Sequence, residues 1–230
     1  MFKMLRECLV VTAFLTVLCC IAYPGLVTGL AQLLFSRQAN GSVVTQDGKV
    51  RGSALIGQTF TDPTQWPEYF WGRPSGASVD AATSVTYSSG SNYGPLNPAL
   101  QDEVKARVDA LRATGVTGPI PIDLVTKSGS GLDPHVSPAA ADVQVPRVAK
   151  ARGLSEPDVR ALVAQATEGS TFGFLGEPRV NVLLLNLALD ARAPVPHAAP
   201  PPAGSSSTTT ASSEAPSASA APSTTTATNL

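Results

Sequence analysis

The chain has 230 residues, of which 43% are hydrophobic, and a formal net charge of −1 at neutral pH. A near-neutral charge excludes the basic surface that nucleic-acid binding requires. The three cysteines, Cys8, Cys19 and Cys20, all precede residue 21, so no disulfide can form within the remainder of the chain.

The first predicted element is a membrane span. Residues 8–35 contain no Asp, Glu, Lys, Arg or His. As a helix this run reaches about 40 Å, enough to cross a hydrocarbon core of about 30 Å once. Lys3 and Arg6 also resemble the start of a signal peptide, but the apolar run is too long and lacks a clear cleavage site. We therefore predict an uncleaved transmembrane helix, with a kink at Pro24-Gly25.

The orientation of this span does not follow from its flanking charges, which are positive on both sides. Long domains that follow a first span tend to be translocated regardless of these charges. We therefore expect residues 1–7 to be a short cytoplasmic N-terminus of a single-pass plasma-membrane protein, with an extracytoplasmic domain. The polar residues of the span are either tolerated in an anchor or bind partner helices; they are Thr12, Thr16, Thr28 and Gln32.

The composition changes again near Ala193. Residues 193–230 are rich in Pro, Ala, Ser and Thr, and Glu214 is their only acidic or basic side chain apart from His197. Such a segment has too few large apolar residues to offset the entropy of ordering. We predict a disordered tail after a soluble domain of residues 41–192.

Three helices are predicted inside that domain. Asn97-Pro98 starts the first, with apolar residues at helical spacing up to Gly115. Ser137-Pro138 starts the second, which runs to Arg152 and should be kinked or divided at Pro146. Ser155 and Asp158 form a capping-box pattern before the third.

Short apolar runs predict strands at residues 54–57, 120–125 and 180–184, and residues 185–190 are compatible with either helix or strand. The fold class is therefore α+β: one N-terminal transmembrane helix, one mixed α/β domain and the tail.

Residues with catalytic potential are few. Ser128, Ser130, Asp133 and His135 suggest a serine hydrolase, but no nucleophile-elbow motif accompanies them. The alternative for this stretch is a Gly-rich turn that leads into the helix at Ser137. No phosphate-binding motif or cluster of metal ligands is present either, so no catalytic, cofactor or metal site is predicted for this chain alone.

Seven motifs nevertheless form a recognisable series. In chain order they are Gly52-Ser-Ala-Leu-Ile-Gly-Gln58, Phe70-Trp-Gly-Arg-Pro-Ser75, Gly90-Ser-Asn-Tyr-Gly-Pro-Leu-Asn-Pro98, Asp123-Leu-Val-Thr126, Ser128-Gly-Ser-Gly-Leu-Asp-Pro-His-Val-Ser-Pro138, Arg147-Val-Ala and Gly173-Phe-Leu-Gly-Glu-Pro-Arg-Val-Asn-Val182. Behind one N-terminal span, this series closely resembles the C subunit of the Kdp potassium-transporting ATPase, up to about Asp190.

The resemblance implies an accessory subunit of a complex that imports potassium at high affinity using ATP. The implied partners are a channel-like potassium-binding subunit, a P-type ATPase subunit and a small single-span subunit. The family is described as a catalytic chaperone that raises the ATPase subunit's affinity for ATP, so ATP enters through the complex. An exported domain cannot touch cytoplasmic ATP; bracing or covering the entrance of the potassium-binding subunit fits that topology better.

Contacts with partners are predicted first in the loop of residues 128–135 and then in the segment before the first helix, because polar loops on a scaffold often carry binding. The candidate residues are Ser128, Gly129, Ser130, Gly131, Asp133, His135, Ser91, Asn92 and Asn97. The same residue types also serve as plain backbone turns. Two other functions stay open: a membrane-anchored extracytoplasmic binding module, and the serine hydrolase.

Overall fold

The computed structural model describes residues 2–59, 67–80, 83 and 85–194. It begins with a helix of 33 residues, Phe2–Leu34, which none of the other described elements buries. At about 1.5 Å per residue this helix is about 50 Å long, more than a bilayer core requires. Within the described ranges it is the one helix long and apolar enough to cross a membrane.

This helix consists of α1 (Phe2–Thr16), a π-helical turn (Val17–Ala22) and α2 (Tyr23–Leu34). Tyr23 donates its backbone N–H to the carbonyl of Leu18, five residues earlier. Pro24 follows at once; it has no N–H, and its ring disfavours regular packing against the preceding turn. The irregularity predicted at Pro24-Gly25 thus takes the form of a widened turn just before the proline.

Two antiparallel hairpins follow the long helix. The elements of this region are α3 (Ser36–Ala39), β1 (Val43–Gln46), β2 (Lys49–Ser53), β3 (Ala77–Val79) and β4 (Thr86–Ser88). β1 pairs with β2, and β3 pairs with β4. Asp47 and Gly48 close the first hairpin with φ angles of 53° and 72°, as a two-residue turn with both central residues left-handed requires.

The helices of the domain are α4 (Pro98–Ala113), a 3-10 turn (Ile122–Leu124), α5 (Pro138–Asp142), α6 (Val145–Arg152), α7 (Glu156–Ala166) and α8 (Val182–Arg192). All three predicted helix starts are confirmed, because the side chains of Asn97, Ser137 and Ser155 each accept a backbone N–H from the first turn of the helix that follows. The second predicted helix is divided into α5 and α6, and Pro146 lies in the first turn of α6.

A small antiparallel sheet organises the core. Its strands are β5 (His135–Val136), β6 (Thr167–Glu168) and β7 (Arg179–Asn181), in the order β5–β7–β6. Helices α5, α7 and α8 contact its central strand β7. The largest fully buried apolar side chains around it are Phe70, Val145, Val148, Val159, Val180, Leu185 and Leu189. The predicted mixed α/β architecture is confirmed.

Two of the predicted strands are wrong. Residues 54–57 form a turn, because Ser53 accepts the N–H groups of Leu55 and Ile56 through its hydroxyl and its carbonyl. Residues 120–125 contain the 3-10 turn, since Pro121 cannot donate to a sheet and its carbonyl instead accepts the N–H of Leu124.

The third predicted strand is correct only at its start. β7 ends at Asn181, whose side-chain oxygen accepts the N–H of Leu184 and caps α8. The ambiguous residues 185–190 are therefore helical. The predicted tail lies outside the described residues except for Ala193 and Pro194.

Candidate functional site

The loop of residues 128–135 folds around a buried hydroxyl. Ser128 is 7% exposed, and its Oγ accepts the N–H of Gly131 at 2.9 Å and that of Asp133 at 3.4 Å. Gly131 has a φ of 70°, a conformation that L side chains adopt at a cost. The Ser-Gly-Ser-Gly sequence thus forms a tight turn, as the turn interpretation predicted.

Four successive carbonyls of this loop each accept a hydrogen bond from another segment of the domain. The bonds are Gly90 N to Gly129 O at 2.9 Å, Ser88 Oγ to Ser130 O at 2.7 Å, Gly76 N to Gly131 O at 2.8 Å and Gly57 N to Leu132 O at 2.8 Å. The donors come from three places far apart in sequence. The loop therefore helps to join the segments around the two hairpins to the helical part of the domain.

Glycine is required where these backbones meet. A Cβ on Gly131 would lie 2.6 Å from Ser88 Oγ and 2.7 Å from the Cα of Gly76. A Cβ on Gly57 would lie 2.8 Å from the carbonyl oxygen of Asp133. Gly129 differs, because a Cβ there meets no atom within 4 Å and the residue is exposed.

Three charged or polar side chains form a line at the end of the loop: Arg73, Asp133 and His135. Asp133 Oδ1 accepts the backbone N–H of His135 at 3.0 Å and lies 3.1 Å from His135 Nδ1. Its Oδ2 lies 3.5 Å from Arg73 Nη1, and Arg73 Nη2 donates to the carbonyl of Lys127 at 3.2 Å. Arg73 therefore fixes both ends of the loop, and Asp133 orients the His135 ring.

This line borders an open cleft of about 570 Å³. Ile122 and Asp123 lie along the cleft on one side, and Glu177, Pro178 and Arg179 also line it. Asp123 is engaged in structure, because its Oδ2 accepts the N–H of Ser137 at the start of α5 at 2.6 Å. The cleft thus lies beside Asp133 and His135 of the predicted loop.

The described residues do not bring the serine hydroxyls of the loop to the His135 ring. Within the described residues, the His135 ring has Asp133 as its side-chain partner, and no serine hydroxyl hydrogen-bonds to the ring. The hydroxyls of Ser128 and Ser130 lie 3.3 Å from each other, and each also accepts a backbone N–H of the loop. Both hydroxyls are thus used to build the turn.

The second predicted group lies beside the loop, since Gly90 is hydrogen-bonded to Gly129 and Ser91 follows directly. Asn92 is exposed and has a φ of 52°. Asn97 is committed to capping α4, because its Oδ1 accepts the N–H of Ala99 at 3.0 Å. Ser91 and Asn92 are therefore available for contacts, whereas Asn97 has a structural task.

A cluster of charged side chains connects the segment before α4 to the residues that precede the loop. Tyr93 donates its hydroxyl to Glu103 at 3.0 Å, and Lys127 Nζ lies 3.8 Å from the same carboxylate. Arg107 reaches Glu103 at 2.6 Å and donates to the carbonyl of Val125 at 2.8 Å. Burial acts to raise the pKa of Glu103, but the hydrogen bonds from Tyr93 and Arg107 lower it below its ordinary value.

Sequence reasoning missed a second centre, the buried backbone of Phe70 and Trp71. Asn186 exchanges two hydrogen bonds with the backbone of Phe70, at 2.8 and 3.0 Å, and Gln144 does the same with Trp71, at 2.8 and 3.1 Å. The guanidinium of Arg147 lies 4.3 Å from the centre of the Trp71 ring and donates to Gln144 at 2.7 Å. The sequence signal was an amide residue between apolar neighbours: Asn186 inside α8, and Gln144 between Val143 and Val145.

Comparison with known proteins gives the family. The family model described as "K+-transporting ATPase, c chain" (KdpC) matches residues 5–191, which includes the long helix from residue 5 onwards and the elements of the domain into the last turn of α8. The chain belongs to the KdpC family. The resemblance inferred from the seven motifs is therefore confirmed.

Curated KdpC relatives are similar over most of their length. The Potassium-transporting ATPase KdpC subunit of Sorangium cellulosum (strain So ce56) is 59% identical over 196 residues, covering 83% of this chain and 98% of the relative. That of Methylococcus capsulatus (strain ATCC 33009 / NCIMB 11132 / Bath) is 64% identical over 171 residues, covering 74% and 87%. That of Polaromonas naphthalenivorans (strain CJ2) is 57% identical over 197 residues, covering 85% and 98%.

In the part of the KdpC chain that the structure describes, no group of three or more His, Cys, Asp or Glu residues is arranged to hold a metal ion. The KdpC match ends at residue 191, within the last turn of α8. The distinctive side chains of the loop and of the Phe70–Trp71 centre thus lie inside the family match, and the Pro/Ala/Ser/Thr-rich tail lies beyond it.

Proposed function

We propose that this chain is the accessory subunit of a high-affinity, ATP-driven potassium import complex. The observation that carries this proposal is the KdpC family match over residues 5–191, together with relatives named as subunits of potassium-transporting ATPases. The geometry is compatible with a supporting role: in the described residues the side chains of Ser128, Ser130 and Asp133 each accept a backbone N–H of the loop.

Its partners in this proposal are a channel-like potassium-binding subunit, a P-type ATPase subunit and a small single-span subunit. The helix Phe2–Leu34 anchors the chain in the plasma membrane beside them, since its apolar side chains are exposed along its whole length. The soluble domain then contacts partners through the loop of residues 128–135 and through Ser91 and Asn92.

The N-terminus is cytoplasmic in this account and the domain is extracytoplasmic. A variant with Cys8, Cys19 and Cys20 replaced by serine and with Gln101→Cys, at an exposed position of α4 outside the proposed contacts, tests this placement. A membrane-impermeant maleimide should label the variant in intact cells. Labelling that requires permeabilised membranes would place the domain in the cytoplasm and contradict the account.

The chain acts as a catalytic chaperone that raises the ATP affinity of the ATPase subunit without binding ATP alone. An exported domain brings this about indirectly, by bracing or covering the entrance of the potassium-binding subunit. Coupling between this domain and the ATP site requires a part of the complex that has two conformations, and the occupancy of each site must shift the balance between them.

Affinity purification of the tagged full chain from cells that express all subunits tests membership. We expect the other three subunits to co-purify, and cells without the chain to lose potassium uptake at low external potassium. Purification of the chain alone from such cells, with uptake unchanged in its absence, would reject the proposal.

A membrane-anchored extracytoplasmic binding module is the second candidate, and the cleft of about 570 Å³ beside Arg73 and His135 favours it. This candidate predicts that the chain purified without other subunits retains a small ligand in native mass spectrometry. The ligand should be lost in Arg73→Ala. If the purified chain carries no ligand, this second candidate is rejected.

A further inference from the structure

The loop between β6 and β7 presents apolar side chains to solvent. Phe172 is 84% exposed, Phe174 is 75% exposed and Leu175 is 50% exposed. We name residues 171–175 the aromatic hairpin, because Thr171 and Leu175 pair as an antiparallel bridge around the two phenylalanines. Soluble surfaces seldom concentrate large apolar side chains in this way unless they bind something.

The aromatic hairpin is held in shape by its own backbone. Thr171 and Leu175 exchange hydrogen bonds at 2.8 and 2.9 Å, and Gly173 donates to the carbonyl of Ser170 at 3.0 Å. Phe172 has a φ of 55°, a conformation that is uncommon for a bulky residue. The two rings are thus presented outward by a built turn, and little ordering entropy remains to be lost on binding.

The charges around the hairpin argue against a lipid surface as its occupant. Between Arg160 and Arg179 the chain contains no lysine or arginine. Of the two carboxylates there, Glu168 pairs with Arg179 at 3.0 Å, which leaves Glu177 as the charge that Arg179 does not neutralise. Membrane-interface anchors usually carry basic residues that attract anionic lipid headgroups. Glu177 is exposed and forms no ion pair within the described residues, so its charge is available to a basic partner.

The apolar area of the aromatic hairpin is too small for a stable interface by itself. Three side chains of this type bury roughly 400 Å², whereas a stable interface buries about 800 Å² on each partner. A patch this small is effective when a second attachment raises the local concentration of its partner. The long apolar helix Phe2–Leu34 provides such an attachment to any protein in the same membrane.

We propose that the aromatic hairpin inserts Phe172 and Phe174 into an apolar pocket with a basic rim on another membrane subunit of the potassium-transporting ATPase. This inference rests on the proposed function. Glu177 faces the basic rim, and the shared membrane makes an otherwise weak contact persistent.

Site-specific crosslinking tests the occupant directly. A photo-reactive phenylalanine analogue is placed at position 172 of the full chain, and at exposed position 87 as a control, in cells that express all subunits. The proposal expects a crosslink from position 172 to one other subunit and none to that surface from position 87. Crosslinks to lipid or to a second copy of this chain would overturn it.

Dissociation from the purified complex tests the energetic role. The double variant Phe172→Ser/Phe174→Ser should leave the detergent-solubilised complex roughly tenfold faster than wild type, as loss of a buried aromatic anchor predicts. The matched control is Val85→Ser/Tyr87→Ser, whose side chains are each 58% exposed; it should dissociate at the wild-type rate. Glu177→Lys should also accelerate dissociation, with an effect that shrinks at high salt.

The outcomes separate the two proposals. If wild type co-purifies with the other subunits and the double variant dissociates equally slowly, the hairpin proposal alone fails. If wild type does not co-purify at all, the proposed function fails and the hairpin proposal fails with it. Far-UV circular dichroism and a thermal melt of each full-length variant verify that the change is at the surface.

Discussion

Gln144 and Trp71 exchange two hydrogen bonds in the centre of the domain. The Gln144 side-chain oxygen accepts the Trp71 N–H at 2.8 Å, and its amide donates to the Trp71 carbonyl at 3.1 Å. Gln144 is fully buried, and Trp71 is 4% exposed. One side chain thus replaces the neighbouring strand that this backbone segment lacks.

Gln144→Ala should therefore destabilise the domain strongly. It leaves the N–H and the carbonyl of Trp71 without these partners and opens a cavity, which together cost about 3 kcal/mol of unfolding free energy. Guanidinium unfolding of the detergent-solubilised full chain, followed by tryptophan fluorescence, measures the change. Gln101→Ala, at an exposed position of α4, should stay within about 0.5 kcal/mol of wild type. Equal midpoints for the two variants would contradict this role.

Gly131→Ala should damage the loop. The added methyl meets Ser88 Oγ at 2.6 Å and the Cα of Gly76 at 2.7 Å, at a position with a φ of 70°. We expect a loss of about 2–4 kcal/mol in the same unfolding experiment. Gly129→Ala is the matched control, two residues away with open space around its Cβ and no left-handed φ. A Gly131→Ala variant as stable as Gly129→Ala would show that the loop can rearrange freely.

The domain should lose stability at high pH through Tyr69. Burial, followed by the negative charge of Asp190, raises the pKa of Tyr69 to about 12. In the unfolded chain this pKa is near 10, so the unfolded state releases the proton first. The contribution of Tyr69 is therefore fully present below pH 10 and is lost as the pH rises towards 12.

Tyr69→Phe isolates this effect, because it removes the hydroxyl and leaves other groups in place. Arg147, whose pKa burial lowers to about 10, acts in the opposite direction but is present in both proteins. Between pH 10 and pH 12 the unfolding free energy of wild type should fall about 2 kcal/mol further than that of the variant. Tyr87→Phe, an exposed position, should follow wild type; parallel curves for wild type and Tyr69→Phe would refute the explanation.

Gly129→Arg tests whether the loop contacts a partner. Gly129 is exposed, with no atom within 4 Å of an added Cβ, so the isolated chain should accommodate arginine with less than about 1 kcal/mol of destabilisation. At an interface the same side chain would clash. We expect normal folding but at least roughly tenfold weaker retention in the purified complex.

The control for this change is Gly118→Arg, which is also exposed and open around its Cβ but lies outside the loop. It should be retained like wild type. If both arginine variants assemble normally, the loop of residues 128–135 serves only to join parts of the domain.

Local signals were sufficient for the three predicted helix starts, but not for α8. Asn97, Ser137 and Ser155 were predicted as helix starts because capping and the following proline or acidic residue act within one turn. The strands could not be read as well, since β5 and β6 have only two residues each and exist because β7 lies between them. Residues 120–125 looked like a strand by composition, but Pro121 prevents regular pairing.

The site was predicted in part. The sequence around Ser128 and Gly131 indicated a turn, because those residue types encode it locally. The donors that bind its carbonyls come from Gly57, Gly76, Ser88 and Gly90, and such long-range pairing has no local signal. Gln144 was not predicted for the same reason, because its hydrogen-bond partner Trp71 is also distant in sequence.

The most direct test of the accessory-subunit account is potassium-stimulated ATP hydrolysis by the purified complex, with and without this chain, over a range of ATP concentrations. Without the chain, in a complex that retains the other subunits, the account predicts loss of activity or a large rise in the apparent KM for ATP. Unchanged kinetics in a fully assembled complex would contradict it.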